Sequence, residues 1–349
     1  MSFSEKIIRW YHDNKRDLPW RSTQEPYKIW LSEIILQQTR VAQGTPYYQR
    51  FITAFPTVFH LAQADEEEVL KLWQGLGYYS RARNLHAAAK TVVREHDGTF
   101  PQNHKGLLAL KGVGDYTASA IASICYNEPQ AVVDGNVYRV LSRYFEVEHP
   151  VNSTVGIRYF RQLAQEVMDA ERPRDYNQGI MEFGAMHCTP KNPNCLFCPL
   201  KEGCVALKEG KVGQLPVKTK KTKVRTRHFN YMVPVFKDRN DVPYTCLVQR
   251  KGKGIWQGLW QFPLLETDAE ADLAQVQHEL TANTPLKNTE ETVLFNERPV
   301  VHKLSHQHLH TKFWIVGQKV WGEHAVPVSE LEKYPVPVLI ADFIKTFKF

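Results

Sequence analysis

The chain has 349 residues, of which 43% are hydrophobic and 23% charged, and its formal net charge is +7. This length exceeds what one core usually supports, so we expect two domains, and the hydrophobic content excludes wholesale disorder. The positive charge favours a polyanionic partner without identifying one. Because no long apolar run marks a signal peptide or a membrane span, we expect a cytoplasmic protein without membrane contact.

Residues 1–207 carry the periodicity of amphipathic helices. Apolar residues recur at three- and four-residue spacing, and glycine and proline breaks separate the segments. The clearest segments are SEKIIRWYHDN, YKIWLSEIILQQT, EEEVLKLWQGL, RARNLHAAAKTVV and GIRYFRQLAQEVMDA. No stretch here has the alternation of a strand, so this region is predicted to be all-helical.

A basic segment without apolar periodicity follows at residues 208–228. It contains six lysines and two arginines against one glutamate, an excess equal to the net charge of the whole chain. We interpret it as a linker whose charge suits contact with a phosphate backbone, and a solvated tether is the alternative interpretation.

From residue 229 to residue 349 the pattern changes to short runs rich in Val, Phe and Tyr, which is typical of strands. These runs are NYMVPVF, YTCLVQR, TVLFNERPVVHKLSHQHLH and TKFWIVGQKVW. One polar helical segment, DAEADLAQVQHEL, interrupts them, and a second helix, VPVLIADFIKTF, closes the chain. The second domain is therefore predicted to be of mixed α/β type.

Four of the six cysteines lie within residues 188–204, with the spacing C-x6-C-x2-C-x5-C. They are Cys188, Cys195, Cys198 and Cys204. In a cytoplasmic protein this cluster predicts a metal site rather than disulfides. Zinc and a [4Fe–4S] cluster both accept four thiolates, and the spacing alone does not choose between them. Cys125 and Cys246 each stand alone in an apolar run and are interpreted as core cysteines.

The segment LALKGVGDYTASA, residues 108–120, predicts a helix, a sharp turn at Gly112 and Gly114, and a second helix. Backbone N–H groups at such a helix N-terminus bind phosphate without recognising sequence. A glycine turn of this kind is a weak signal alone, since many helix pairs use one. It becomes specific because the segment VVDGNV follows.

The segment LKGVGDYTASA resembles the helix-hairpin-helix of the endonuclease III superfamily, and VVDGNVYRVLSR resembles its catalytic aspartate segment. The cysteine spacing is similar to that of its [4Fe–4S] loop. The segments WLSEIILQQTRV and LWQGLGYYSRARNL, with the second domain, resemble the MutY-type adenine glycosylases. The resemblance implies a helix-hairpin-helix six-helix domain plus an iron–sulfur loop domain, both all-α, followed by an α/β Nudix-like domain.

That resemblance also implies a function. The expected enzyme is a monofunctional DNA glycosylase that flips out and hydrolyses adenine mispaired with 8-oxoguanine or guanine in base excision repair. Its expected cofactor is a [4Fe–4S] cluster, and its expected partner is double-stranded DNA. We expect a monomer associated with the nucleoid.

Breaking an N-glycosidic bond requires a proton for the departing base and stabilisation of a sugar cation, which two separated carboxylates supply. Glu33 lies mid-helix among apolar residues, and Asp134 lies between apolar residues and Gly-Asn. The alternative interpretations are a solvated helix face for Glu33 and a helix cap for Asp134. By resemblance, Glu33 protonates adenine N7 and later activates water, Asp134 stabilises or transiently bonds the sugar cation, and Tyr116 and Asn136 orient them. Bifunctional relatives place a lysine where this chain has Tyr116, so no Schiff base is expected.

The flipped adenine must leave a gap that the enzyme fills. By resemblance, Gln38 and Tyr78 form the intercalating wedge, and Gly112 and Gly114 contact DNA. The implied edge of the adenine pocket comprises Arg16, Trp20, Arg21, Leu36 and Gln178. The alternatives are a helix-surface amide for Gln38 and core packing for Tyr78 and Trp20.

The second domain resembles a Nudix fold at KGKGIWQGLWQFPLLE. It lacks the REUxEE helix that binds Mg²⁺ in Nudix hydrolases, so pyrophosphate hydrolysis is not expected. In the family this domain recognises 8-oxoguanine through a Phe-Ser-His turn. The chain has Leu304, Ser305 and His306 there, so the stacking contribution of the phenylalanine is missing.

Two other functions remain as alternatives. A thymine–guanine mismatch glycosylase also carries tyrosine in its hairpin, but it lacks a Nudix-like second domain. A non-catalytic iron–sulfur DNA-binding protein would keep the hairpin and the cysteines, but it would need neither Glu33 nor Asp134.

Overall fold

The computed structural model describes residues 1–219, 224–282, 289–318 and 324–349. Helices occupy the chain up to residue 208 and strands begin at residue 225, which confirms the predicted fold class. Residues 220–223 of the predicted linker and 319–321 of the predicted last strand lie outside the described residues.

The first region consists of helices joined by short turns. These are α1 (Phe3–Asn14), α2 (Pro26–Leu36), α3 (Val41–Ala54), α4 (Val58–Gln63), α5 (Glu66–Leu72), α6 (Ser80–His96), α7 (His104–Leu108), α8 (Asp115–Tyr126), α9 (Gly135–Phe145), α10 (Thr154–Val167), α11 (Pro173–Met186) and α12 (Val205–Lys208). The later region contains β1 (Arg225–Lys237), β2 (Pro243–Cys246), β3 (Val248–Gln249), β4 (Trp260–Gln261), β5 (Leu264–Thr267), α13 (Leu273–Ala282), β6 (Thr289–Leu294), β7 (Val300–Lys303), β8 (Gln307–Gln318), β9 (Ala325–Pro327) and α14 (Val338–Thr346).

The chain divides into two compact units. Unit 1 comprises Met1–Gln63 and Asn84–Lys220, and unit 2 comprises Ala64–Arg83 and Lys221–Phe349. Ala64–Arg83 has the helical pattern of the first region, but it groups with the strands of the second. The predicted domain limits at residues 207, 228 and 229 stay a prediction.

Unit 1 is built around α2, which is buried on almost all sides. Pro26 occupies its first turn, where a missing N–H costs nothing, and an apolar run follows to Leu36. Helix α2 packs on α8, α8 packs on α11, and α11 packs on α1 and α9. The middle of α2 and the N-termini of α8 and α9 therefore meet at one place. No helix among the described residues is long and apolar enough to cross a membrane.

The described residues of unit 2 form a seven-stranded sheet of order β6-β8-β1-β2-β9, with β5 also pairing β1 and β7 also pairing β8. The long strands β1 and β8 run parallel, with Tyr231 opposite Phe313. On its other edge β1 pairs β5 up to Tyr231 and β2 from Phe236. Pro234 falls between these two partners, where no ladder bond requires its missing N–H.

The side chains of successive β8 residues pack into two hydrophobic cores, one on each face of the sheet. Phe313 stacks on Phe343 of α14 with ring centroids 4.1 Å apart. Trp314, the next residue, belongs to a cluster on the opposite face that includes Val276 and Leu280 of α13. This alternation is the period of two that a strand imposes on its side chains, and it fixes the register of β8.

Helices α7 and α8 form a hairpin whose turn contains two glycines with different requirements. Gly112 has φ +79°, and a Cβ there would lie 2.6 Å from the Cβ of Asn84. Gly114 caps α8 at φ −89°, and a Cβ there would meet open space. The turn needs glycine at residue 112 for its fold, whereas glycine at residue 114 leaves the helix N-terminus uncovered.

The substitution Gly112→Ala is expected to lower the free energy of unfolding by about 1–3 kcal/mol, because it adds both backbone strain and a clash with Asn84. The matched substitution Gly114→Ala, which adds no clash or strain, should cost at most about 1 kcal/mol, the usual penalty for alanine at an N-cap. Urea denaturation followed by circular dichroism measures both. Equal losses in the two variants would contradict this account of the turn.

Candidate active site and cysteine cluster

A cavity of about 660 Å³ opens where α2, α8, α9 and α11 meet in unit 1. Its size is within the range of pockets that enclose small ligands. Ten of the predicted site residues line it: Arg16, Trp20, Arg21, Glu33, Leu36, Gln38, Gly114, Tyr116, Asp134 and Asn136. The structure therefore brings together residues from four separate segments of the sequence.

Glu33 lies on the buried face of α2, with 8% of its surface exposed. The hydroxyl of Tyr116 donates a hydrogen bond of 2.7 Å to its Oε2 atom. Burial raises the pKa of Glu33 to about 7, although this hydrogen bond opposes the shift, and the charge of Asp134 raises the pKa further. At neutral pH Glu33 therefore exists in both protonation states, which suits a group that transfers a proton.

Asp134 is the N-cap of α9. Its Oδ1 accepts hydrogen bonds from the backbone N–H groups of Asn136 and Val137, each at 2.8 Å, and its Oδ2 accepts one from the Asn136 side chain at 2.7 Å. Burial raises the pKa of Asp134, while these three donors stabilise the ionised form. The alternative interpretation of this residue as a helix cap is thus correct, and the cap also faces the cavity.

Glu182, an acid of α11 whose side chain is 1% exposed, is not among the residues predicted from the sequence. Arg16 and Arg21 both bind it through paired N–H groups, with distances of 2.6–2.9 Å. Burial alone would raise the pKa of Glu182, but the hydrogen bonds from the two arginines lower it to about 2. An ionised glutamate therefore fixes both arginines at the cavity edge. Its place on the buried face of α11, beside Phe183, is the sequence signal that could have revealed it.

Other predicted residues lie away from this cavity. Gln178 does not line it, because its Oε1 accepts a hydrogen bond of 3.0 Å from Tyr11 of α1. Tyr78, Ser305 and His306 belong to unit 2. Ser305 and His306 are exposed in the turn between β7 and β8, where the Ser305 hydroxyl lies 3.3 Å from His306 Nδ1.

Both predicted wedge residues have left-handed backbone conformations, which are uncommon outside glycine. Gln38 has φ +53° just after α2, and Tyr78 has φ +46° just before α6. Both side chains are exposed, Tyr78 to 45%. Such strain persists where the surrounding structure holds a side chain in a required direction. The exposure of Tyr78 excludes its interpretation as core packing.

The four clustered cysteines line one small cavity between α11 and α12, and none forms a disulfide. They are Cys188, Cys195, Cys198 and Cys204. Among the described residues, no three histidine, cysteine or carboxylate side chains converge closely enough to hold a single metal ion. Backbone N–H groups of Leu200 and Leu207 point at two of the thiols. Four thiols around a common space fit a cluster in which each sulfur binds a different iron atom.

Two arginines of α9 connect this loop to the cavity. Arg139 donates to the Cys188 carbonyl at 2.7 Å and to Asn136 Oδ1 at 2.9 Å. Arg143, one turn later, donates to the carbonyl of Thr189 at 2.7 Å and lies 3.4 Å from the Cys188 thiol. A buried guanidinium beside the thiol would offset the negative charge of a thiolate at Cys188.

Comparison with protein-family models agrees with this architecture. Residues 31–155 match the HhH-GPD superfamily of base excision DNA repair proteins, and residues 235–346 match a NUDIX domain. A thermostable thymine-DNA glycosylase superposes with a TM-score of 0.55 at 30% identity, over 59% of this chain and 95% of that one. An endonuclease III in a trapped DNA complex superposes with a TM-score of 0.52 at 21% identity, which supports the fold alone; it covers 59% of this chain and 94% of that one. The chain is therefore a base excision repair glycosylase of the helix-hairpin-helix superfamily.

Curated relatives define the family more narrowly. An adenine DNA glycosylase of Buchnera aphidicola subsp. Baizongia pistaciae is 33% identical, over 91% of this chain and 87% of that protein. One of Rattus norvegicus is 35% identical over 87% of this chain and 68% of that protein. One of Arabidopsis thaliana is 38% identical over 77% of this chain, which spans only 48% of the length of that protein. The chain belongs to the adenine DNA glycosylase family.

Proposed function

We propose that this enzyme is a monofunctional glycosylase that removes adenine mispaired with 8-oxoguanine or guanine in double-stranded DNA. The observation that carries the proposal is the pair of buried acids in one cavity with different hydrogen-bond donors. Glu33 has a single hydroxyl donor and a pKa raised to about 7, whereas Asp134 has three N–H donors that favour its ionised form. This is the division into proton donor and anionic stabiliser that glycosidic bond cleavage requires.

Glu33 is the proposed general acid. Its protonated carboxyl donates to N7 of the flipped adenine, so that the base leaves without carrying a full negative charge. Tyr116 has a pKa raised well above its usual value by burial, so its hydroxyl keeps its proton and orients Glu33 as a donor. After the base has left, ionised Glu33 accepts a proton from the attacking water.

Asp134 is the proposed stabiliser of the sugar cation. As the C1′–N9 bond breaks, positive charge develops on the sugar, and a fixed carboxylate in a partly dehydrated cavity stabilises that charge more strongly than water does. Asn136 holds the carboxylate through both its backbone and its side-chain N–H groups. Water then attacks C1′ and leaves an abasic site.

Tyr116 is the basis for proposing hydrolysis without strand cleavage. Strand cleavage by relatives with two activities requires an amine that attacks C1′ and forms a Schiff base. The hydroxyl at residue 116 cannot form this adduct, and its contacts are with Glu33 and the thioether of Met181, at 2.7 and 3.2 Å.

A thymine–guanine glycosylase is the second candidate, favoured by the solved thymine-DNA glycosylase that superposes on 59% of the chain. The matched NUDIX domain at residues 235–346 and the curated adenine-specific relatives support adenine instead. Within unit 2, the exposed Ser305 and His306 are the proposed contacts to 8-oxoguanine. Helix α13 contains a single carboxylate, Glu279, which supports a binding role for this domain rather than pyrophosphate hydrolysis.

The four cysteines of the loop, Cys188, Cys195, Cys198 and Cys204, are the proposed ligands of a [4Fe–4S] cluster. When bound, the cluster cross-links the segment between α11 and α12. The loop also carries Lys191 and Lys201, which are exposed and suited to contact with DNA phosphates. We assign the cluster a structural purpose, because it fixes the loop that carries these lysines.

The direct test is single-turnover incubation with duplexes that carry A opposite 8-oxoguanine, A opposite G, T opposite G, and A opposite T. Strand scission of the A strand only after alkali, fastest opposite 8-oxoguanine, is expected. Borohydride should trap no protein–DNA adduct. Asp134→Asn should lower the excision rate constant at least about 1,000-fold while DNA binding persists. Excision of T, or adduct trapping, would contradict the proposal.

The pH dependence of excision should depend on Glu33. The acid is active when protonated, so the single-turnover rate constant should fall as pH rises through about 7. Tyr116→Phe removes the hydrogen bond that lowers the pKa of Glu33, so this fall should move to higher pH by about one unit. Tyr138→Phe, at another tyrosine of the cavity, is the matched control and should leave the midpoint unchanged. A shift to lower pH in Tyr116→Phe would contradict the assigned role.

The cofactor is tested by elemental analysis and visible absorbance of the purified protein. The wild type should carry about four iron atoms per chain, and Cys198→Ser should lose most of them. Cys125→Ser, which changes a cysteine outside the loop, should retain them. Zinc in the wild type, or full iron content in Cys198→Ser, would refute the assignment.

A further inference from the structure

Tyr78 lies in a turn that is stabilised by hydrogen bonds between neighbouring residues. Trp73 Nε1 donates to the Gly77 carbonyl at 3.0 Å, and the guanidinium of Arg81 donates to the same oxygen at 3.3 Å. The Arg81 guanidinium also lies 5.0 Å from the Trp73 ring centroid, and the Tyr79 hydroxyl accepts from Gly75 N at 3.3 Å. The strained, exposed Tyr78 is therefore held by a stiff frame that continues directly from α5.

Helix α5 is fastened to the β3–β4 hairpin of the same unit through one carboxylate. Glu67 Oε1 accepts a hydrogen bond of 2.9 Å from the indole N–H of Trp260 and one of 3.1 Å from the side chain of Gln249. Gln249 and Trp260 are opposite each other in the ladder. One oxygen of Glu67 thus binds both strands of the hairpin at once. We call this arrangement the Glu67 latch.

Two further bonds flank the Glu67 latch. Lys71 Nζ, one turn after Glu67, donates to the Tyr334 carbonyl at 3.1 Å, and Arg83, after the turn, donates to the Gln257 carbonyl at 2.6 Å. Gly258 has φ +83°, and a Cβ there would lie 3.2 Å from the side chain of Leu70 in α5. The segment that carries Tyr78 is therefore attached to the Nudix-like fold both before and after the turn.

We propose that Glu67 is a positioning residue. Through Trp260 and Gln249 it holds Tyr78 in a fixed position relative to the turn of Ser305 and His306. This inference rests on the proposed function, in which Tyr78 enters the base stack and that turn contacts 8-oxoguanine. Both groups belong to unit 2. Because of the Glu67 latch, contact with the oxidised base and insertion of the wedge depend on each other. The latch therefore contributes to the preference for 8-oxoguanine over guanine rather than to bond cleavage.

The physical reason is that binding energy gained at one group is transmitted to a second only as far as the connection between them is rigid. If α5 moves freely on the hairpin, Tyr78 gains nothing from the contact made at Ser305 and His306. A hydrogen-bonded carboxylate that spans two strands supplies such a connection. Because both hydrogen bonds to Glu67 are exposed to solvent, their combined loss corresponds to about a fivefold effect.

The experiment compares single-turnover excision of A opposite 8-oxoguanine with excision of A opposite G, in the full chain. Glu67→Ala is expected to lower the ratio of the two rate constants about fivefold, with the A–G rate constant changed less than about twofold. Trp260→Phe, which keeps the ring and removes the N–H, should act in the same direction. Glu67→Gln keeps an acceptor oxygen and should retain most of the ratio. Glu68→Ala, an equal change at the neighbouring exposed residue, is the matched control.

A Tyr78→Ala background separates positioning from a general structural role. There Glu67→Ala should have almost no further effect on the ratio, because the Glu67 latch acts through Tyr78. A ratio unchanged in both Glu67→Ala and Trp260→Phe would overturn this inference and leave the proposed function standing. An equal fall of the excision rate constant on both duplexes in Glu67→Ala would overturn it as well. A wild type without any preference for 8-oxoguanine would overturn the proposed specificity together with it.

Discussion

The rest of unit 1 depends on the hydrogen bonds that the carboxylate of Asp134 accepts at the N-terminus of α9. The carboxylate accepts the first free N–H groups of α9 and so fixes the start of that helix at the cavity wall. From there α9 carries Arg139 and Arg143, which bind the carbonyls of Cys188 and Thr189. One capped helix therefore sets the cavity at its N-terminus and the cysteine loop along its side. The cap that stabilises the fold also places three N–H donors against this carboxylate, and they oppose the rise in its pKa that burial causes.

Three of the four acids that line the cavity, Glu33, Asp134 and Glu182, have hydrogen-bond donors that influence their charge. Glu182 faces two guanidinium groups and has a pKa near 2, while Glu33 faces one neutral hydroxyl and has a pKa near 7. Burial raises the pKa of Asp134, and its three N–H donors, which carry no formal charge, oppose that rise. Burial disfavours ionisation of each acid, so the number and charge of the donors determine which acid keeps its proton. Glu33, with its pKa raised to about 7, keeps a proton to give at neutral pH.

Local patterns predicted the features whose causes are local. The helical period predicted α2, and the glycines predicted the turn before α8. The spacing of four cysteines predicted that they share one site. Glu182 was missed because its arginine partners lie more than 160 residues earlier in the chain. The β-like run at 292–310 contains the end of β6, all of β7 and the start of β8, and the side chain of Asn296 bonds the backbone of Phe313 and Thr311 just after β6. The grouping of Ala64–Arg83 with the sheet likewise depends on packing that periodicity does not encode.

In the proposed mechanism, bond cleavage and recognition of the opposite base are built on different units. Glu33 and Asp134 belong to unit 1, while Tyr78, Ser305 and His306 belong to unit 2. A contact with 8-oxoguanine raises the excision rate only if its energy is realised when the adenine has left the stack, since equal stabilisation before and after flipping changes nothing in the barrier. A wedge meets this condition, because its ring can occupy the stack only once the base is gone. The strained, outward Tyr78 is the group on unit 2 that has this property.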